Sequence, residues 1–439
     1  MKRVLILTYY WPPSGGPGVQ RWVKFVKYLK KYGWEPVVYA PKDADYPLFD
    51  HSFDKEIPDD VTVLRNPIWE PYTVYRKFTG RKPGSSFNAG GFISDDKTKT
   101  WKEQLALWIR SNFFIPDARK YWIRPTVRFL SRYLKEEPVD LIVSTGPPHS
   151  LHLAALKLKN NTSLPWIADF RDPWTKIYFY PDLLLTKAAD NKHHRLEKRV
   201  LQQAECIVTV GKKIASEFRE MGAKKVEVIT NGYDHKDFED VIPITSDHFR
   251  LVHTGNINTT KNQKKLWKAI AELKNEHPGF AESLKIVQAG KADVSVYADI
   301  EEYQLSDNFD YLGYLNHNEI VRLQAGASVL LLLISDTPHA KGVLTGKLFE
   351  YLAAGKPVLA IAPLDSDLAE IINSSHAGVV VDFNDKTGMK KALEHFYLQY
   401  KKGTLAIASE GAEQYTRMNL TKKMAAVMDD IVAEQRADK

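Results

Sequence analysis

The sequence predicts an α/β protein made of two Rossmann-like, doubly wound domains. Three observations predict it. Short apolar runs alternate with amphipathic helical stretches, the alternation lapses near residue 235 and resumes at Phe249, and several strand-to-helix loops contain glycine. With 439 residues the chain is long enough for two or three domains that each bury a core. Hydrophobic residues make up 44% and charged residues 26%, which is ordinary for a soluble globular protein. The lone Cys206 rules out a disulfide framework and suggests a reducing compartment. Its setting, Glu205-Cys-Ile-Val-Thr-Val210, is that of a strand residue rather than a nucleophile. No apolar run approaches the roughly 20 residues that span a bilayer, and Met1-Lys-Arg-Val-Leu-Ile6 begins as a strand rather than a signal peptide. A cytoplasmic location is the expectation.

Val4 to Thr8 is the first strand. It runs into Tyr9-Tyr-Trp-Pro-Pro-Ser-Gly-Gly-Pro-Gly18 and then a helix with Val19, Trp22, Val23, Val26 and Leu29 on one face. Gly33 closes that helix, and Glu35 to Tyr39 is the next strand. The loop is not GxGxxG, but Gly15 and Gly16 let backbone approach a ligand beside a helix N-terminus. A glycine-rich turn without a ligand is the competing reading. Residues 65–137 interrupt the alternation. Arg76 to Ser86 reads as a basic loop, and 101–134 is helical apart from a break near Pro116. Residues 97–135 hold ten Lys or Arg against two acids, with Leu105, Trp108, Ile109, Phe113 and Phe114 interleaved. Such a segment either lies on an anionic membrane surface or packs its aromatics on the sheet beneath a solvated basic face. No nucleic-acid-binding motif accompanies the charge, which is +7 overall.

The alternation resumes with a strand at 141–144, the loop Thr145-Gly-Pro-Pro-His-Ser150 and a helix over 151–159. A strand at 166–168 ends in Asp169-Phe-Arg-Asp172. A charged helix spans 182–203, strands at 206–210 and 225–230 flank a helix over 212–221, and 235–248 reads as a linker. The second unit has strands at 249–254, 284–289, 309–312 and 328–334, helices at 264–276 and 317–325, and glycines at 255, 290 and 313 after strands. A helix from Asp367 and a strand at 378–382 follow. The chain closes in helices, the last with Met424, Val427, Met428 and Ile431 on one face. The domains are expected at 1–243 and 244–414, with 415–439 able to pack back on the first.

Thr345-Gly-Lys-Leu-Phe-Glu-Tyr-Leu-Ala-Ala-Gly-Lys-Pro-Val-Leu359 reads as a tight turn, a short helix and a strand. The free amides of Thr345 and Gly346 and the helix dipole suit an anion. Leu348, Tyr351 and Leu352 form a buried face, while Lys347 and Glu350 share another. An anion site, a lysine and a carboxylate within one turn fit a nucleoside diphosphate: amides and Lys347 for phosphates, Glu350 for ribose hydroxyls. A surface helix with an exposed ion pair accounts equally well for the fragment taken alone.

Four passages together resemble family 4 glycosyltransferases of the GT-B fold: the Gly15-Gly16 loop, Val228-Ile-Thr-Asn-Gly-Tyr-Asp234, His253-Thr-Gly-Asn256 with Lys261, and Lys347 to Val358. The resemblance implies two Rossmann-like domains facing each other across a cleft. It implies sugar transfer from a nucleotide donor on the second domain to a glycan or lipid-linked acceptor on the first, in surface polysaccharide synthesis. Retention at the anomeric carbon and no cofactor or metal are part of that expectation. The implied donor residues are Gly15, Gly16, Gly255, Asn256, Lys261, Gly290, Gly342, Thr345, Gly346, Lys347 and Glu350. Two positions depart from the family pattern. Asn256 stands where the first residue of a basic pair is usual, and Gly342 where the first glutamate of the motif is usual, although amides from Gly342 to Gly346 could still cradle phosphates.

On the first domain, loops at strand carboxyl ends carry His149, Ser150, Asp169, Arg171 and Asp172. Similar enzymes often carry a histidine in the loop at 169–172; here Asp169, Arg171 or Asp172 takes its place, unless Arg171 and Asp172 merely fix the loop as an ion pair. His149, Asp169, Arg171, Asp172 and Lys261 form the catalytic set, and His152 falls inside the following helix. Asp365-Ser-Asp367 matches a metal-binding DxD, but Asp367 is expected to cap a helix. His193 and His194 are adjacent and diverge. The competing functions are a nucleotide-sugar epimerase of the same architecture and a non-catalytic sugar- or lipid-binding module.

Overall fold

The computed structural model describes residues 1–71, 101–405 and 410–437, so the basic loop expected at 76–86, with Lys97 and Lys99, lies outside the described residues. Two compact units form, one from Met1–Thr230 with Met418–Lys439 and one from Asn231–Arg417. The first contains β1 (Lys2–Leu7), α1 (Pro17–Leu29), β2 (Trp34–Lys42), β3 (Thr62–Pro67), α2 (Trp101–Phe113), α3 (Ile123–Glu136), β4 (Leu141–Gly146), α4 (Ser150–Thr162), β5 (Trp166–Phe170), α5 (Lys187–Gln203), β6 (Cys206–Thr209), α6 (Lys212–Glu220) and β7 (Val226–Val228). The second contains β8 (Phe249–Thr254), α7 (Lys264–Glu276), α8 (Pro278–Ser283), β9 (Leu284–Ala289), α9 (Val294–Glu302), β10 (Phe309–Gly313), α10 (His317–Ala325), β11 (Val329–Leu333), α11 (Gly346–Ala354), β12 (Val358–Ile361), α12 (Asp367–Ser374), β13 (Gly378–Val381) and α13 (Lys386–Lys401). The last helix, α14 (Arg417–Ala437), returns the chain to the first unit.

Both sheets are parallel and Rossmann-like. The first runs β3-β2-β1-β4-β5-β6-β7 and the second β10-β9-β8-β11-β12-β13. In each, the order reverses beside the first strand, so the crevice at the carboxyl ends lies between β1 and β4 in one unit and between β8 and β11 in the other. Helices on both faces explain the unbroken apolar runs of the central strands: Val4–Leu7 and Leu141–Val143 are fully buried. One face of the first sheet is closed by Val19, Trp22 and Val26 of α1 together with Leu420, Met424, Met428 and Ile431 of α14. The packing of the terminal helix follows from its apolar face. Cys206 is buried in β6, and burial pushes its thiol up to about 12.

The structure corrects several boundaries. Segment 231–248 belongs to the second unit: Tyr233 bridges to Thr416, and the Ile244 N–H donates to Arg322 O at 3.0 Å. The division therefore falls at 230/231 instead of 243/244. β3 was not expected; it runs into the start of the stretch 65–137 where the alternation was expected to lapse, and its partial exposure is why its apolar pattern is weak. α5 begins at Lys187, because the Thr186 side chain caps it by accepting from Ala189 N. Ser366, not Asp367, caps α12, while Asp365 pairs with Lys341 at 2.6 Å. Among the described residues, no helix is long and apolar enough to cross a membrane.

Candidate donor and acceptor sites

In the second unit the crevice floor is built from two glycines with left-handed φ. Gly255 follows β8 and Gly290 follows β9, each at φ +108. Their N–H groups donate to Ala289 O and Gly313 O, both at 2.6 Å. A Cβ on Gly290 would stand 2.7 Å from the carbonyl of Gly255, and one on Gly255 would collide with Lys347 Nζ. Backbone packs on backbone here, and a lysine lies directly above it.

Gln288, at the end of β9, locks this floor. Its Nε2 donates to Gly255 O at 2.8 Å and Gly290 O at 3.1 Å. Its Oε1 can only accept, so the 2.7 Å contact with His253 Nδ1 places the histidine proton on Nδ1. His253 Nε2 is left as a buried acceptor without a partner among the described residues. Burial, then the charges of Lys347 and Lys261, hold this imidazole well below its usual pKa and therefore neutral. Sequence reasoning did not single out Gln288, and used His253 only as the start of the His253–Asn256 passage, without a role. A buried amide at the carboxyl end of a parallel strand was the signal that could have found Gln288, because such a group is costly unless it has work to do.

Two lysines stand over the floor. Lys261 ends a short turn, Thr259–Lys261, held by Asn258, whose side chain accepts from the Lys261 N–H at 3.2 Å. Lys347 sits in the first turn of α11. Burial, followed by the charge of Lys261 and opposed by Glu350, pushes the Lys347 amine down to about 7. Burial also lowers Lys261. Two partly buried cations, one of which lowers the other, suit a multivalent anion. The start of α11 adds to this: Thr345 occupies the N-cap position with no side-chain cap bond, and space beside Gly346 is open.

Two expected contributors fall away. The Gly342 N–H donates to His339 O and the Val343 N–H to Ala340 O, each at 3.2 Å, so these amides serve their own turn and are not available to cradle phosphates. Asn256 is exposed and its Oδ1 accepts from the Lys291 N–H at 3.1 Å, which ties two loops together. The structure gathers Gly255, Gly290, Lys261, Thr345, Gly346, Lys347 and Glu350 around the β8–β11 crevice of the second unit; Gly15 and Gly16 belong to the first. There Gly15 is wedged against Leu48 and Asp50, and Gly16 enters α1 at φ +90.

In the first unit Asp169 has a different position from that expected. It is fully buried and accepts four hydrogen bonds: from Arg21 Nη2 (3.0 Å) and Nε (3.3 Å), Trp22 Nε1 (2.7 Å) and Thr145 Oγ1 (2.9 Å). These bonds latch α1 to the ends of β4 and β5. They leave no accessible lone pair for acid or base work, so the geometry assigns Asp169 a structural role. Arg171 donates to Gly18 O at 3.2 Å and Pro147 O at 2.5 Å and lies 5.6 Å from the Tyr10 ring centre, so it clasps loop carbonyls instead of pairing with Asp172. Asp172 is exposed. His149 stacks flat on Trp174, with ring centres 4.9 Å apart, and lines a cavity of about 130 Å³ with Tyr10, Phe114, Tyr180 and His193. Burial, reinforced by nearby His152 and Arg171, keeps His149 neutral, and its Nδ1 has no partner among the described residues. His152 instead contacts Ser144 Oγ at 2.8 Å inside the core, where burial pushes it down to about 3.

A family described as "Glycosyl transferases group 1" matches residues 234–412, and "Glycosyltransferase Family 4" matches 92–237. EpsD of Bacillus subtilis (strain 168), whose own glycosyltransferase assignment is provisional, is 24% identical over 225 residues, covering 47% of this chain. The match spans only 55% of that relative. Among solved structures, HepE of Anabaena in complex with UDP-glucose is 14% identical with a TM-score of 0.58, over 98% of this chain and 100% of that one. The UDP-GlcNAc 2-epimerase of Methanocaldococcus jannaschii is 12% identical with a TM-score of 0.52, also over 98% and 100%.

Proposed function

The chain belongs to the family 4 glycosyltransferases of the GT-B fold, and on that premise we propose that it moves a sugar from a nucleoside-diphosphate donor to a glycan or lipid-linked acceptor in surface polysaccharide synthesis. The observation that carries this is the Lys261–Lys347 pair, set over a backbone floor of Gly255 and Gly290 beside the uncapped start of α11. Cleavage of a glycosyl–phosphate bond builds negative charge on the departing diphosphate. Fixed cations and amides stabilise that charge in the transition state more than in the ground state. In this reading the two lysines neutralise the diphosphate without a metal ion, Glu350 accepts ribose hydroxyls, and the sugar is transferred with retention.

Incubation with UDP-, GDP- and ADP-sugars, with and without a cell-envelope lipid and glycan extract, tests the proposal. Nucleoside diphosphate release that requires the extract is expected. An epimerised sugar formed without it points to an epimerase, and absence of turnover with any donor points to a binding module.

We further propose that the first unit rests on an anionic membrane face of the cytoplasm. α2 exposes Trp101 (68%) and Phe113 (59%) along with Leu105, Trp108 and Ile109. Along α3, Arg124, Arg128 and Arg132 are exposed at four-residue intervals, and no ion pair joins them to a carboxylate among the described residues. Tyr121 links the two, touching Phe114 and Trp69 and lining a shallow depression with Lys120, Arg124, Lys157 and Lys192. Aromatic side chains at the headgroup level with flanking cations give this kind of binding. Vesicle flotation should recover the protein with anionic but not neutral lipid, and Trp101→Ser with Trp108→Ser should reduce recovery severalfold. Equal recovery with both lipids, or none with either, contradicts it.

A further inference from the structure

A carboxylate that is to receive two ribose hydroxyls works best when its orientation is fixed in advance, and a glutamate on a helix has three side-chain torsions to restrain. In the second unit Gln324 supplies the restraint. It lies near the end of α10 and is fully buried. Its Nε2 donates to Glu350 Oε2 at 3.2 Å and to Thr254 Oγ1 at 3.1 Å. Since Glu350 only accepts, this amide orientation is the one that satisfies both contacts. Thr254 Oγ1 then donates to the Tyr351 hydroxyl (3.2 Å), which donates to Leu331 O (3.4 Å), and the Thr254 N–H donates to the same hydroxyl at 3.1 Å. The bonds run in one direction and anchor Glu350 to the carboxyl halves of β8 and β11. Gln324 Oε1, meanwhile, is buried without a partner among the described residues. A glutamine kept only for packing would be disfavoured there, because an apolar side chain of similar size would leave no orphaned oxygen.

We propose that Gln324 is a positioning residue that engages one oxygen of Glu350 so that the other faces the ribose, and that it thereby sets the preference for ribonucleotides over nucleotides lacking the ribose hydroxyls. The proposal rests on Glu350 being the ribose ligand. Titration calorimetry with UDP, GDP and ADP and their 2′,3′-dideoxy forms tests it. For the base that wild type binds, loss of both hydroxyls should weaken binding about 10- to 100-fold, the range for hydrogen bonds to a charged group. Gln324→Leu should weaken the ribonucleotide about 5- to 20-fold and leave the dideoxy form within about twofold, so that the preference shrinks. Gln324→Glu keeps the shape of the side chain but sets two carboxylates side by side. It should lose ribonucleotide affinity more at pH 8 than at pH 6, which gives a second readout if the leucine variant does not fold. Equal weakening of both nucleotides, or no change in either, overturns the proposal. The Glu350→Gln variant separates the two levels of the argument. If it discriminates as wild type does, Glu350 is not the ribose ligand and both readings fall; if it loses discrimination while the Gln324 variants keep it, only the role of Gln324 falls.

Discussion

Lys347 concentrates the chemistry of the candidate donor site into one amine. Burial and the neighbouring Lys261 lower it from the usual lysine range to about 7. A bound diphosphate favours the charged amine and raises this value, so above pH 7 binding must take up a proton. Nucleoside diphosphate affinity should therefore be nearly flat just below pH 7 and weaken by up to about tenfold per unit above it. Calorimetry in buffers of different ionisation enthalpy would read the proton uptake directly; affinity constant from pH 7 to 9 contradicts this. In the free protein the sign is reversed. The folded state disfavours the charged lysine, so the destabilisation is full below pH 7 and fades as pH climbs towards the unfolded value near 10.4. Lys347→Met should stabilise the free protein at pH 7 by on the order of 2 kcal/mol, allowing for solvent screening, while abolishing binding. Asp169 is the opposite kind of residue. Asp169→Asn leaves the guanidinium of Arg21 buried without its counter-charge, which should cost about 3–5 kcal/mol of stability in denaturant unfolding. Its position next to Arg171 on a strand-end loop looked functional in the sequence, because the reach of Arg21 and Trp22 from a helix about 150 residues earlier is not visible in local order.

Among the elements, the crossing of the loops after β8 and β9 is the least forgiving. Gly290→Ala forces an L-residue to φ +108 and sets its Cβ against the Gly255 carbonyl. Strain of this kind costs roughly 1–3 kcal/mol before any clash is counted. Affinity for nucleoside diphosphates should fall at least about tenfold, whereas Gly313→Ala, whose Cβ would meet nothing, should leave it within about twofold. Similar losses in both variants would mean that the crossing does not shape the site. α7 and α10 were legible to the residue, because their apolar faces recur at helical spacing between clear stops. β3 was not, since a partly exposed edge strand alternates too weakly to stand out. Nor was the cap of α12, where three oxygen-bearing residues in a row leave the choice of cap to backbone geometry.

For the molecule as a whole, two doubly wound parallel sheets could be inferred from the repeated alternation of strand and helix, though not their strand order or the seventh strand of the first, and the apolar face of α14 announced a docked terminal helix. The division between the units was misplaced by about a dozen residues, because the polar stretch after Thr230 looks like a linker until Tyr233 and Ile244 are seen pairing with the second unit. The lysines and Glu350 were visible as candidates. Gln288 and Gln324, which hold the site's shape from beneath, were hidden inside elements that read simply as core, while His253 was visible only as the start of a motif. In the proposed reading, the β8–β11 crevice of the second unit holds a nucleoside diphosphate. The most direct test is titration calorimetry of wild type, Lys261→Ala and Glu350→Gln with UDP, GDP and ADP. Wild type is expected to bind at least one of them, and each variant to weaken that binding by about tenfold or more. Wild-type affinity in either variant, or no binding of any of the three by wild type, would contradict it.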